Sequence, residues 1–272
     1  MLDKILYDDV SSRHEYVIFS DAARKKSIPQ YLDNRHIYGR ISFAEDEVAF
    51  NKEVWLHEFQ PLKQAPSEQI ETVFTHIYQE GAWAKNQSGK GSSGVGSTAK
   101  NTKLYRDYLS QFLKTHQITS VVDLGCGDGE FSRLLDWTGI DYTGYDVVKS
   151  IIESNKEQHA SSSIHFVNGN FLNMDLPQAD LLVCKDVLQH LPNGDIAFFL
   201  PQLKKYKYCL ITNDIDPQNL TSNNCNVDVG GYRSIDLTKP PFNLIGKKVF
   251  TFTSGMVKKQ VLFIENKNLS KS

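Results

Sequence analysis

Little in this chain points toward a membrane, a nucleic acid or a metal. Its 272 residues hold 4 cysteines, 3 methionines and 3 tryptophans. No apolar run approaches the roughly 18 residues that a bilayer span needs. The opening Met1-Leu2-Asp3-Lys4-Ile5 carries an acid and lacks an apolar core, which argues against a secretory leader. Cys126, Cys184, Cys209 and Cys225 lie far apart and form no C-x-x-C pair. Neither a metal site nor a redox motif is expected from them. Cys184 and Cys209 fall in apolar stretches and read as small buried hydrophobes of a reducing, cytoplasmic setting. An excess of one charge is missing too, since 30 basic against 32 acidic residues leave a net charge of −2. A chain that grips DNA or RNA normally shows a basic stripe. Here the pairs Lys204-Lys205, Lys247-Lys248 and Lys258-Lys259 read as solvated surface. A phosphate-binding P-loop is also absent, because no Gly-Lys-Ser/Thr closes the required spacing in Gln87–Ser97.

What the chain does have is a strand that breaks into alternate glycines. Val121-Val122-Asp123-Leu124 runs into Gly125-Cys126-Gly127-Asp128-Gly129, and the amphipathic segment Glu130–Trp137 follows. Glycine permits a sharp turn and a close backbone approach to a ligand. A helix starting there would add free N–H groups and a positive dipole end. A second strand, Tyr142-Thr143-Gly144-Tyr145, ends in Asp146. That is about 20 residues past the first glycine, where a βαβ nucleotide fold places its ribose-binding acid. A third, Ile164–Val167, leads into Asn168-Gly169-Asn170. Two features depart from the dinucleotide fingerprint: the run is not G-x-G-x-x-G, and Asp123 precedes the first glycine. An acid there would repel a pyrophosphate and welcome a cationic amino-acid cofactor. This counts against a nicotinamide dehydrogenase.

The run Asp123–Gly129 resembles motif I of the class I S-adenosylmethionine-dependent methyltransferases. Asp146 matches that family's ribose acid, with Val147 beside it, and Asn170-Phe171 stands where the family borders the adenine. Asn170 replaces the acid usual there. Asp180–Leu191 resembles the motif at the fourth strand, and the likeness covers about residues 100 to 265. Gly94-Val95-Gly96-Ser97, Lys185–His190 and Gly230-Gly231-Tyr232-Arg233 resemble a bacterial branch with glycan-type members. The resemblance implies S-adenosyl-L-methionine as cofactor. It would be held by Asp123, Gly125, Cys126, Gly127, Asp146, Val147, Asn170, Phe171 and Lys185, with Asp123 facing the methionine amino group. The implied fold is a Rossmann-like, doubly wound α/β sheet, mostly parallel with an antiparallel C-terminal hairpin.

Ligands of open α/β sheets bind beyond the carboxyl ends of the strands, which points to the groups after strands four and five. Methyl transfer to a hydroxyl needs a base for the proton. Asp186 and His190 are the catalytic candidates: His190 as base, with Asp186 holding its tautomer or binding the acceptor. The plainer alternative is that His190 caps a loop and Asp186 caps a helix. The Asn/Asp-Pro-Pro-aromatic box of many N-methyltransferases is absent at strand four, so O-methylation of a small polar molecule or a glycan hydroxyl is the expected chemistry. Gln189, Asn213, Tyr232 and Arg233 are candidate acceptor-binding residues. Arg233 either grips an anionic group in two places or pins its loop through Asp228 or Asp236. Rival readings are a protein or tRNA methyltransferase and a cofactor-binding protein without turnover.

Organisation follows from the same patterns. Residues 1–98 are read as an N-terminal appendage ending in a glycine/serine-rich lid, and 99–272 as the methyltransferase domain. Ile70, Val73, Phe74, Ile77 and Tyr78 fall at helical spacing up to Gly81. The segment 87–97 is either a linker or a lid with Trp83 as anchor. Helices are expected over Thr102–Thr115, Asp146–Glu157 and Pro192–Lys205, a terminal hairpin around Thr253-Ser254-Gly255, and a long irregular binding loop from Asn213 to Leu244.

Overall fold

One mixed sheet organises the chain, whose computed structural model describes residues 69–85, 92–215 and 224–267. Its strands are β1 (Ser120–Leu124), β2 (Asp141–Asp146), β3 (Ile164–Asn168), β4 (Leu181–Lys185), β5 (Tyr208–Ile215), β6 (Lys247–Ser254) and β7 (Val257–Glu265). They lie in the order β3-β2-β1-β4-β5-β7-β6. Strands β1 to β5 pair in parallel. β7 returns antiparallel to both β5 and β6. The central strands β1 and β4 are buried almost throughout, as β-branched and leucine-rich parallel strands should be when both sheet faces are covered. The sequence expectation of a doubly wound sheet with a terminal hairpin matches this topology.

Helices cover both faces. α1 (Ile70–Glu80) presents Ile70, Phe74 and Tyr78 as one buried stripe and stops at Gly81, whose φ of 64° suits a left-handed cap. α2 (Lys103–Thr115) buries Tyr105, Leu109, Phe112 and Leu113 against the other face. α3 (Lys149–His159) seats Ile152 and Asn155. α4 (Asn193–Phe199) passes into a 3-10 turn, Leu200–Lys205, where Pro201 has no N–H to continue the helix. One core joins α1 and α4 to Leu124, Leu182, Ile211 and Leu262. A second joins α2 to Val121, Val183, Leu210 and Val261.

Three expectations change. The segment after the glycine loop forms only the 3-10 turn Ser132–Leu134, not a helix over Glu130–Trp137. The Trp137 indole donates back to the Ser132 carbonyl, and Leu135 is already extended. No helix dipole therefore serves that loop. Helix α1 packs into the same core as the sheet, so a boundary after residue 98 does not separate an appendage from the domain. Lys185 and Lys259, the latter counted as solvated surface, are 6% and 2% exposed. Expectations for residues 1–65, for 87–91 and for Asn219 and Asn223 lie outside the described residues.

Candidate functional site

The carboxyl ends of β1 and β2 build a cradle from backbone. Gly125 and Cys126 N–H both donate to the Tyr145 carbonyl, at 2.8 and 3.0 Å. Gly125 and Gly127 have φ of 69° and 56°, a conformation in which L side chains are strained. Space closes the argument: a Cβ on Gly125 would meet Val187 Cγ2 at 2.3 Å, and one on Gly127 would meet Ser93 Oγ at 2.2 Å. From α3, Asn155 Nδ2 donates to the Gly127 carbonyl at 2.8 Å and holds the loop from behind.

Asp146 ends β2 and organises this cradle. One carboxylate oxygen accepts from Gly127 N–H at 3.0 Å, the other from Val148 N–H at 2.9 Å. Burial pushes its carboxyl above the ordinary value despite those bonds. Asp123 is placed differently from expectation. It is 2% exposed and lies beneath the cleft wall, accepting the Tyr142 hydroxyl at 2.7 Å. Burial pushes its carboxyl up to about 7, against the opposing pull of Tyr142 and Lys185.

A cleft opens over the loop. Gly125, Cys126, Gly127, Asp146, Val147, Asn170, Phe171 and Lys185 line it, as the resemblance implies, and Asp123 does not. Asn170 also closes its own turn by accepting Leu172 N–H at 3.0 Å. The roof comes from α1 and residues 92–97. Ser93 N–H and Oγ donate to the two Asp128 oxygens at 3.1 and 2.9 Å, and Asp128 N–H donates to Ser93 Oγ at 3.0 Å. Tyr78 and Ser93 hydroxyls lie 2.7 Å apart. This reciprocal clasp holds residues 92–97 over the cradle.

The ends of β4 and β5 carry the polar groups. Asp186 sits in the left-handed region, φ 60°, with its N–H on the Thr212 carbonyl. Its carboxylate pairs with Lys185 and, at 2.8 Å, with Lys259. Burial alone would raise the Asp186 carboxyl, yet the two ammonium groups outweigh it and hold the carboxyl below its usual range. So lysine-bound an acid is a poor proton acceptor, and Asp186 neither caps a helix nor hydrogen-bonds the His190 ring. His190 lies in the 3-10 turn Leu188–His190, lines the cleft and packs against Trp83, the rings tilted by 40° with centroids 5.0 Å apart. Its Nδ1 meets the Gly231 carbonyl at 2.8 Å, an acceptor that requires Nδ1–H. Nε2 keeps its lone pair, with Gln189 Nε2 at 3.5 Å. Burial pushes the imidazole below its ordinary value, so the ring is neutral at neutral pH.

The acceptor candidates divide. Gln189 is buried and accepts Asp214 N–H at 2.8 Å through Oε1, which makes it a brace between β5 and the His190 turn. Asn213 faces a small pocket with Ile211, Ile235 and Leu237, away from the cleft. Arg233 is buried with its guanidinium on the Leu188 carbonyl (3.0 Å) and Asn193 Oδ1 (2.8 Å). It pins its loop, but through neither Asp228 nor Asp236, whose carboxylate takes Lys248 instead. Burial pushes Arg233 down to about 10, still charged at neutral pH. Tyr232 is 54% exposed, donates to Asp214 at 2.9 Å, and lies 5.9 Å from the His190 ring.

Ser93, Asp128, Tyr78 and Lys259 escape the sequence reading. Tyr78 was visible as core. Lys259 follows the alternation of β7, where it shares a face with the buried Val261, but a Lys-Lys pair reads as surface.

Residues 121–206 match the model of the family described as "Methyltransferase domain". No curated protein matches the sequence. Among solved structures, the N-methyltransferase NodS from Bradyrhizobium japonicum WM9 in complex with S-adenosyl-L-homocysteine superposes with a TM-score of 0.52. It is 14% identical over 70% of this chain and 98% of its own. Magnesium protoporphyrin IX methyltransferase (ChlM) from Synechocystis PCC 6803, with bound S-adenosyl-L-homocysteine, gives 0.50 at 14% identity over 71% and 98%. The methyltransferase domain of bacterial-CtHen1-C is 21% identical, with a TM-score of 0.39, over 42% of this chain and 66% of its own length. At these identities the likeness speaks for the fold.

Proposed function

We propose that this chain, which carries a methyltransferase domain over residues 121–206, methylates a hydroxyl of a small polar molecule or glycan with His190 as general base. The chain is an S-adenosylmethionine-dependent methyltransferase of the class I fold. The cleft suits that cofactor. Two glycines, packed too closely by Val187 and Ser93 to take a Cβ, keep the cradle in its bent form, Asp146 offers a buried carboxylate at the cradle, and Val147 and Phe171 supply apolar walls. Gly125, Gly127 and Asp146 would hold its ribose and amino-acid portion, Val147, Asn170 and Phe171 its base. When bound, S-adenosylmethionine supplies a methyl group already activated on a sulfonium.

The protein therefore has to position the acceptor, exclude water and remove one proton. The observation that carries the reading is the His190 ring: neutral, on a residue that lines the cleft, with Nδ1–H spent on the Gly231 carbonyl and the Nε2 lone pair met only by the Gln189 amide at 3.5 Å. Trp83 and Tyr232 flank that ring and offer the acceptor a surface to lie against. Lysine-bound Asp186 keeps the neighbouring strand end in place and takes no proton.

The test offers radiolabelled S-adenosylmethionine with a panel of sugars, small hydroxylated acids, peptides and RNA. Label in an alkali-stable ether is expected, with His190→Gln lowering turnover by about 10²–10⁴-fold while S-adenosyl-L-homocysteine still binds. Label on an amine, or turnover untouched by His190→Gln, would overturn the reading.

A further inference from the structure

Lys259 is a lysine with almost no access to water, at the point where the C-terminal hairpin crosses the carboxyl edge of the sheet. Register puts it there: Lys259 stands directly opposite Asp214 in the β5–β7 ladder, on the same sheet face. Its ammonium bridges two acids from different strands, Asp186 after β4 and Asp214 near the end of β5. Leaving a buried ammonium unpaired is costly, and the two carboxylates remove that cost. Burial alone would push Lys259 down, yet the acids outweigh it and hold the ammonium above its ordinary value.

Both acids lead to His190. Asp214 accepts the Tyr232 hydroxyl, and the neighbouring residue, Gly231, supplies the carbonyl that fixes Nδ1–H. Asp214 N–H is in turn held by Gln189, the residue before His190. Asp186 makes the left-handed bend from which the chain enters the 3-10 turn carrying His190. We propose that Lys259 is a positioning residue for His190: by clamping Asp186 and Asp214 together it sets the ring's tautomer and keeps uncompensated negative charge away from it. This rests on the reading of His190 as the base. The groups that face the ring are Asp186 from its own bend, Asp214 from β5, Lys259 from β7, and Trp83 and Tyr232 as ring neighbours. The acids act to raise the imidazole and Lys259 to lower it.

The experiment needs no acceptor. Ring-nitrogen NMR spectra of the uniformly 15N-labelled full chain are followed against pH, and His190 is identified among the 8 histidines by its loss in His190→Gln. Wild type is expected to show a single Nδ1–H tautomer with a midpoint below about 6.5. Lys259→Met should move that midpoint up by about one pH unit and mix the tautomers, since a cation is lost, Asp214 loses its lysine and Asp186 keeps only Lys185. Lys259→Arg, which keeps the charge and both acids, should stay near wild type. A folded Lys259→Met with unaltered titration and tautomer overturns the proposal, as does an arginine variant displaced as far as the methionine one. If Lys259→Met does not fold, Tyr232→Phe decides. It removes the hydroxyl's bonds to Asp214 and Ser234 while leaving the ring in place, and retention of a single sharp tautomer would refute the positioning role. Failure of the base reading is separate and shows as methyl transfer that survives His190→Gln.

Discussion

Replacing Asp146 tests the cradle most directly, because two kinds of bond depend on one carboxylate. It takes Gly127 N–H at 3.0 Å and Val148 N–H at 2.9 Å, one from the loop and one from the entrance to α3. Hydrogen bonds to a charged acceptor are worth about 1.5–3 kcal/mol each. Asp146→Ala leaves both buried donors unpaired, so it should lower stability by at least that much, a Tm fall of roughly 3–12 °C for a domain of this size. Asp146→Asn keeps one acceptor oxygen, and so at most one of the two backbone bonds, and should fold better. What it cannot keep is the charge. Calorimetric titration with S-adenosyl-L-homocysteine should therefore show Asp146→Asn weaker than wild type by about 1.5–3 kcal/mol, or roughly 10- to 150-fold. The pH dependence adds an internal check. Burial holds the Asp146 carboxyl above 3.8, so wild-type affinity should decline as pH falls through a range above that value, and Asp146→Asn should lack the decline. A folded Asp146→Asn that binds as tightly as wild type would refute the assignment of Asp146 to the cofactor.

Three further predictions address neighbouring residues. The imidazole of His190 is held below its ordinary value by burial, so the acidic limb of kcat/KM should fall at a pH below about 6.5, and a limb well above it would count against this residue. Asp123 should oppose folding as pH rises. Its carboxyl is carried from 3.8 to about 7, so between those values the unfolded chain is ionised while the folded one keeps the proton, and stability declines across that window. Asp123→Asn, still able to accept Tyr142, should gain Tm over wild type between pH 4 and 7 and hold a constant advantage above it. The ceiling is on the order of 4 kcal/mol, and an advantage that does not grow over that window sinks the argument. Gly127→Ala should lower Tm by roughly 2–8 °C through left-handed strain and break the Ser93–Asp128 clasp, its Cβ lying 2.2 Å from Ser93 Oγ. Gly139→Ala is the control: φ is 76° but nothing lies within 4 Å, so a Tm fall there as large as that of Gly127→Ala would show that the clash adds nothing.

The sheet was legible because its signals are local. β-branched runs, alternate glycines and the acid ending the second strand sit within short windows, and the parallel ladder follows from their spacing. The helix expected over Glu130–Trp137 failed for a reason periodicity does not carry: Gly129 and Gly139 bracket a segment whose Trp137 indole competes for the Ser132 carbonyl. The residue types gathered at this edge are visible in the sequence, while several of their partners are not. Asp186 and His190 were paired because four residues separate them, a rule that holds on a helix. The chain instead bends left-handed at Asp186, and that one backbone angle sends the carboxylate to Lys185 and Lys259 and the imidazole to Gly231. Gly231 lies 41 residues from His190 along the chain, and Lys259 lies 73 residues from Asp186. Nothing in either residue type announces such a partner, since a carbonyl belongs to every residue and a lysine is ordinarily a surface group. What decides between proton acceptor and ion-pair member at this edge is therefore the register of β7 against β5. A slip of one residue would turn Lys259 to the opposite face and break its ion pairs with Asp186 and Asp214. The ion pairing at the fourth strand's end thus depends on a hairpin far along the chain, and on the proposed function mutations in that hairpin should alter turnover as well as stability.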